Sequence, residues 1–363
     1  MIQNSLKSIS LFYLRMILVW IIAALFFMFL RNFGVDEKPA EKIIGMRTSP
    51  SLFFLATIAL GTLAGILYAT VEWVSERPYF LRHSLGRIIL AKLIIFFLAG
   101  KFVLGTTIIF VASFTDALLG RADVITILRS PIYWVFFVFF LFVAGLITFI
   151  RMVSGKFGPG ILRNMLTGKY RNPREEGRIF MFLDLKSSTT IAEKLGHLQF
   201  SRLIQDCFAD LTPVINQHQV EIYQYVGDEA ILSWPLEQGF EQNHCIHCYF
   251  DYVDLLKAKA DYYQKQYEVL PTFKAGVHLG KVTVAEVGLV KREIAYHGDV
   301  LNTTARIQGM CNELNHSLLI SSRLRQNLSE DSSIQQHPLG EQVLKGKKQL
   351  VSIYGVTKSE TAR

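Results

Sequence analysis

Apolar residues fall along this chain in two regimes. Up to Ile150 they run almost unbroken in four stretches, near Leu11–Leu30, Ser51–Trp73, Ile88–Phe114 and Pro131–Ile150. Each has the roughly 20 residues that an α-helix needs to cross about 30 Å of hydrocarbon. Little amphipathic helix lies between them, so the pattern predicts an α-helical bundle of four transmembrane helices over residues 1–150. The end of the first stretch, "LFFMFLRNFG", offers a poor small-residue cleavage site and reads as part of a retained helix.

From Arg178 the pattern alternates between the strand and helix periods. "RIFMFLDL" reads as a buried strand, and "FSRLIQDCFADLTPVINQH" repeats apolar residues at helical spacing. "VEIYQYV" and "EAILSW" read as two strands joined at Gly227-Asp228. A helix over about Glu241–Tyr267, strands "FKAGVHLG" and "KVTVAEVGL", and a helix from about Asp299 follow. This order predicts an α+β, ferredoxin-like β-α-β-β-α-β unit within residues 178–363. Between the two regimes, at 151–177, Gly158-Pro159-Gly160 and Asn172-Pro173 flank a short helical pattern, which predicts a jointed connector able to transmit helix motion.

Charge adds an orientation. After the last apolar stretch come Arg151, Lys156, Arg163, Lys169, Arg171, Arg174 and Arg178 against Glu175 and Glu176. With an even number of spans, this places both termini and the C-terminal half in the cytoplasm of an integral inner- or plasma-membrane protein. The loop with Arg77, Arg82 and Arg87 agrees; the loop with Arg31, Lys38, Lys42 and Arg47 does not. The net charge of +8 then belongs to a zone facing membrane lipid, and no aromatic-basic pattern calls for nucleic acid. Lys92 and Lys101 fall inside the third stretch, and the deeper Lys101 is the candidate for sensing an unidentified membrane-domain ligand. Cys207, Cys245, Cys248 and Cys311 all lie in the half placed in reducing cytoplasm, where disulfides are not expected. "HCIHC" at 244–248 lacks a second ligand pair at zinc spacing and reads as one face of a helix.

The candidate chemistry sits at two carboxylates. In the ferredoxin-like topology the first strand and the hairpin are neighbours, which brings Asp184 beside Asp228. Such a pair repels unless a cation joins it, and hard-oxygen ligands with open positions are how Mg²⁺ is held on substrate phosphates. Thr190 and Glu193 fit a capping box, leaving the backbone amides of Ser187, Ser188, Thr189 and Thr190 to face a phosphate. The arrangement suits two-metal phosphoryl transfer.

"FMFLDLKSST", "YVGDEAIL", "HGDVLNTTARIQ" and "VLKGKKQLVSIYGV" resemble, in order and spacing, the catalytic domain of class III adenylyl and guanylyl cyclases over about residues 178–357. The resemblance implies a head-to-tail homodimer with two interfacial sites, each with two Mg²⁺ or Mn²⁺ ions. Asp184 and Asp228 match the metal-binding aspartates, and Leu185 matches the residue whose carbonyl also touches a metal. Asn302 matches the asparagine that orients the ribose, Arg306 the arginine that stabilises charge on the α-phosphate, and Lys345 the lysine on the triphosphate. The implied reaction makes a 3′,5′-cyclic nucleotide and pyrophosphate.

Two positions depart from the family, and both choose the base. Gln224 stands where the family has lysine for adenine or glutamate for guanine, and Ala295 where it has aspartate, threonine or cysteine. A glutamine amide can face adenine N1 or turn its carbonyl to guanine. The missing glutamate favours ATP over GTP, with Tyr296, His297 or a backbone carbonyl left to meet the exocyclic amine. Gly-Asp-Glu also resembles the diguanylate cyclase signature, but Val226 replaces that motif's first glycine. A non-enzymatic alternative is a decayed cyclase domain kept as a receptor or dimerisation module.

Overall fold

The computed structural model describes residues 2–32, 50–75, 86–101, 131–157, 164–165, 167–290, 292–343 and 350–359. Its contacts divide the chain into two compact units, Met1–Val153 and Ser154–Arg363.

The N-terminal unit is helical: α1 (Ile2–Asn32), α2 (Pro50–Ser75), α3 (residues 86–101) and α4 (Pro131–Phe157). Three windows, Ile9–Leu30, Thr57–Ser75 and Trp134–Gly155, are long and apolar enough to cross a membrane. The rest of the third apolar stretch, residues 102–114, lies outside the described residues, as does the Gly158-Pro159-Gly160 joint. Apolar side chains such as Ile22, Leu98 and Phe142 are exposed on the outside of this unit, the pattern of helices solvated by lipid.

Small residues set how closely α1 and α2 approach. A Cβ on Gly65 would lie 2.6 Å from Ile17 Cα, and one on Gly61 2.8 Å from Ile21 Cα. "GTLAG" is thus a small-xxx-small contact, which hydropathy alone passes over. Trp20, Ala64, Tyr68, Phe96, Phe140 and Ala144 form the shared core, with Tyr68 stacked on Phe96 at 5.1 Å.

Lys101 places its ammonium over the rings of Phe97 (4.6 Å) and Trp134 (5.5 Å), cation–π contacts that stabilise it in place. A second charged group, Glu72 on α2, is only 2% exposed. Its carboxylate accepts from Lys92 Nζ at 2.8 Å, from the Tyr68 hydroxyl at 3.1 Å and from the Thr148 hydroxyl at 3.2 Å, and Arg151 Nε lies 3.8 Å away.

The C-terminal unit is built on one sheet. Its strands are β1 (Arg174–Leu185), β2 (Glu221–Val226), β3 (Glu229–Pro235), β4 (Phe273–Val287), β5 (Glu293–His297), β6 (Leu318–Ser321), β7 (Ile334–Val343) and β8 (Leu350–Lys358). The spatial order is β2-β3-β1-β4-β6-β8-β7, with β5 pairing β4. Helices α5 (Ser188–Gln217), α6 (Leu236–Phe240), α7 (His244–Ala258), α8 (Ala260–Tyr267), α9 (Asp299–Gly309) and α10 (Ser322–Arg325) complete it.

β1 is central and covered on both faces, which is why its apolar run does not alternate. Ile179, Met181, Leu183 and Leu185 join the main core with residues of α5, α7 and α8, while Phe180 and Phe182 meet Val300 of α9 in a second cluster. Two element boundaries differ from expectation. β1 starts at Arg174 and pairs β4 from Arg174↔Val284 to Leu185↔Phe273, so "FKAGVHLG" and "KVTVAEV" are one strand with a partner along its length. The helix expected over 241–267 breaks at Lys259 into α7 and α8.

Candidate active site

Antiparallel pairing assembles the carboxylates. Asp184, next to last in β1, lies between Glu229 of β3 and Lys274 of β4 in register. Asp228 follows Gly227, whose φ of +62° turns the chain from β2 into β3, a conformation that glycine adopts without a Cβ penalty. The turn therefore delivers Asp228 to the end of β1. Burial pushes the Asp184 carboxyl upward and the Asp228 charge adds to it, while Lys274 and Gln308 act in the opposite sense. Glu229 is pushed up to about 7, first by burial and then by Asp184 and Asp228.

Asp228 Oδ2 is buried with no hydrogen-bond partner among the described residues. A buried, unpaired carboxylate oxygen beside a second carboxylate is a fit for a divalent cation. Among the described residues no three His, Cys, Asp or Glu side chains converge on one point; Mg²⁺ needs only one or two carboxylates when waters and substrate oxygens fill its other positions. Leu185 buries its side chain in the core, so what it can offer a cation is its backbone carbonyl.

α5 opens just beyond this edge. It starts at Ser188, with Ser187 as N-cap in the left-handed region (φ 59°) and no side-chain cap bond. The capping box expected at Thr190 and Glu193 is not the helix start, because Lys186 N–H bonds Thr272 O at 2.8 Å and the chain turns into the helix three residues sooner. Ser188 and Thr189 thus occupy the first turn, where backbone amides and the helix dipole favour an anion.

α9 carries Asn302, exposed, and Arg306, half-buried, one turn apart on one face. Two residues further on, Gln308 Nε2 donates to Asp184 Oδ2 at 2.9 Å, and Lys274 Nζ lies 3.3 Å from the same oxygen. Neither contact was anticipated from sequence; the one signal was a lone lysine in an apolar strand. Gly276 lets the helix come this close, since a Cβ there would lie 2.7 Å from Gln308 Cα.

The expected base readers lie elsewhere in the sheet. Gln224 is exposed on β2, the edge strand, and Ala295 is half-buried on β5 opposite Ala285. Their neighbours touch: the rings of Tyr223 and Tyr296 are 4.8 Å apart. Arg178, 2% exposed, lies over Tyr296 at 5.1 Å and pairs with Glu176 and Glu221. Lys345 lies outside the described residues.

Residues 173–357 match the family described as the Adenylate and Guanylate cyclase catalytic domain. The match covers half of the chain, and the protein belongs to that family: its C-terminal unit is a class III nucleotide cyclase catalytic domain. It is 34% identical to Adenylate cyclase 2 of Rhizobium meliloti (strain 1021) over 243 residues, 67% of this chain and 64% of that protein. It is 25% identical to the receptor-type guanylate cyclase gcy-6 of Caenorhabditis elegans over 185 residues, 50% of this chain and 17% of that protein. The chain thus spans less than two thirds of the length of both relatives. A bacterial light-regulated adenylyl cyclase has a similar fold, with a TM-score of 0.51 and 20% identity over 59% of this chain and 64% of that one.

Proposed function

We propose that the protein is a membrane-anchored adenylate cyclase that converts ATP to 3′,5′-cyclic AMP and pyrophosphate as a homodimer with two interfacial sites. Four spans over residues 1–150 would hold it in the membrane, with both termini and the catalytic domain cytoplasmic and residues 151–177 linking the halves. The observation that carries the reading is the buried, unpartnered oxygen of Asp228 beside Asp184 in a cyclase-family domain.

In the reaction the ribose 3′-oxygen forms a bond to the α-phosphorus, the bond from that phosphorus to the bridging oxygen breaks, pyrophosphate departs, and the hydroxyl proton is lost. Held by Asp184, Asp228 and the Leu185 carbonyl, Mg²⁺ or Mn²⁺ would supply Lewis acidity to the hydroxyl and the leaving pyrophosphate. The chain's own part is positioning and electrostatics. Asn302 orients the ribose, the fork of Arg306 suits the crowded α-phosphate, and Lys345 and the amides of Ser188 and Thr189 hold the polyphosphate. Gln224 donates to adenine N1, and Ala295 leaves the exocyclic amine to a neighbouring group.

Guanylate cyclase activity is the second reading, since the exposed Gln224 amide can present its carbonyl as readily as its N–H₂. Turnover of ATP and GTP by the membrane-bound full-length protein, with Mg²⁺ and then Mn²⁺, decides. We expect cyclic AMP, reduced at least about 100-fold in Asp228→Ala, the scale of losing a group that acts on transition-state charge. Cyclic GMP would reverse the substrate assignment; no product from either nucleotide would leave the receptor-module reading in its place.

A further inference from the structure

β2 ends the sheet, with β3 as its neighbour, and its pairing is irregular at one point. Ile222 lies opposite Leu232 and Gln224 opposite Ile231, so Tyr223 is an extra residue on the β2 side. A bulge of this kind re-aims the side chains beside it. Ile222 packs with the main core, whereas Tyr223 packs with Phe180 and Ile231 in the cluster that meets α9. Residues opposite each other in an antiparallel pair share a face, so Gln224 lies on the face of Ile231 and Tyr223. Without the extra residue, strict alternation would turn Gln224 to the other face, toward α5.

Arg178 of β1 sits beneath this face. Its guanidinium pairs with Glu221 of β2, three residues before Gln224, and lies 5.1 Å from the centre of the Tyr296 ring on β5. The rings of Tyr223 and Tyr296 meet edge-on at 4.8 Å. A buried cation therefore bridges β2 and β5, two strands that do not pair with each other. Apolar side chains of similar volume would fill the same space about as stably, whereas the planar fork of an arginine fixes one geometry. We propose that Arg178 is a positioning residue for nucleotide choice: by tying Glu221 to Tyr296 it holds the bulge at Tyr223 in place and aims the Gln224 amide at the purine edge. The proposal rests on the reading of Gln224 as the residue that meets the base. Arg178 itself is buried and acts through β2.

The test is turnover of ATP and of GTP by the membrane-bound full-length protein, with inhibition by inorganic tripolyphosphate, which has no base, measured alongside. Arg178→Met combined with Glu221→Leu removes both partners of the bridge, while Glu176 keeps Lys169 at 3.0 Å and the Tyr170 hydroxyl at 2.9 Å. We expect the KM of the preferred nucleotide to rise at least about tenfold and the preference between the purines to collapse toward parity. Its kcat and the inhibition constant of tripolyphosphate should stay within about threefold of wild type, the pattern of lost base contacts rather than lost phosphate contacts. Glu221→Gln, at a partly exposed position, frees β2 while Arg178 keeps Glu176, and should shift the preference in the same direction should the double variant not fold. Glu176→Gln leaves the bridge whole and should leave the preference unchanged. Gln224→Ala separates the two ideas. If it leaves the preference as in wild type, or if wild type turns over neither purine, the reading of the base site fails and the proposal with it. If Gln224→Ala shifts the preference and the bridge variants do not, the proposal alone is overturned, as it is if they weaken tripolyphosphate as much as ATP or if Glu176→Gln has the same effect.

Discussion

Asp184, Asp228 and Glu229 crowd one edge of the sheet, and there the Glu229 carboxyl is raised from 4.5 to about 7 by burial and by the two aspartates. A folded-state value above the ordinary one means that ionising Glu229 opposes folding. The penalty is fully present above about 7, shrinks as pH falls toward 4.5, and is gone below it. Glu229→Gln removes the charge and keeps the shape. With a chelator present, the variant's Tm should exceed that of wild type at pH 8, with the gap closing as pH falls through the same window. Added Mn²⁺ should narrow the gap at pH 8 if a cation relieves the crowding. A Tm difference that does not vary with pH would mean that Glu229 acts through packing. Lys274 and Gln308, both on Asp184 Oδ2, hold that carboxylate in place without a cation. These contacts join residues 124 positions apart in the case of Gln308, and they arise from β-register and helix approach. No local pattern in the sequence announces them.

At the scale of elements, the position of α9 on β4 decides where Asn302, Arg306 and Gln308 sit. Gly276 sets that distance, and Gly280 repeats the device two residues before Val282, with a Cβ there only 3.0 Å from Val300 Cβ. Gly276→Val should push α9 off the sheet, destabilise the protein by about 1–3 kcal/mol through overpacking, and lower nucleotide turnover at least tenfold, since misplacing groups by about 1 Å can cost 10²-fold. Gly309→Ala, where a Cβ meets nothing within 4 Å, should leave both within error. Unchanged turnover and Tm in Gly276→Val would show that the helix tolerates the shift. Much of this layout was legible. The apolar run of β1, the helical period of α5 and the Gly227-Asp228 turn each carry a local signal, and their topology alone sets Asp184 beside Asp228. The full length of β4 was not legible, because Gly280 reads as a breaker in sequence while in the fold it is a packing position. In the N-terminal unit, Glu72 was hidden for a similar reason: its partners Lys92 and Thr148 lie on two other helices, and hydropathy reports each helix separately.

At the scale of the whole molecule, the two units have separate cores, one around Tyr68 and Phe140, the other around β1. The metal-binding candidates and α9 come together within one catalytic unit, whereas Gln224 and Ala295 sit on β2 and β5. In the proposed homodimer a second copy completes each site, and the membrane half contributes by confining two chains to one surface. Confinement makes their meeting effectively intramolecular, with a local concentration far above that in bulk. A chain of residues 164–363, released from the membrane, should therefore unfold cooperatively as its own core allows. Its cyclic nucleotide output per mole should climb with protein concentration from roughly 10 nM to 10 µM as free diffusion replaces tethering. The full-length protein in vesicles should show a rate per mole that does not change on dilution of the vesicles. If the released domain turned over at one rate per mole across that whole range, with sedimentation showing a monomer, each chain would hold a complete site and the membrane half would have a role other than pairing.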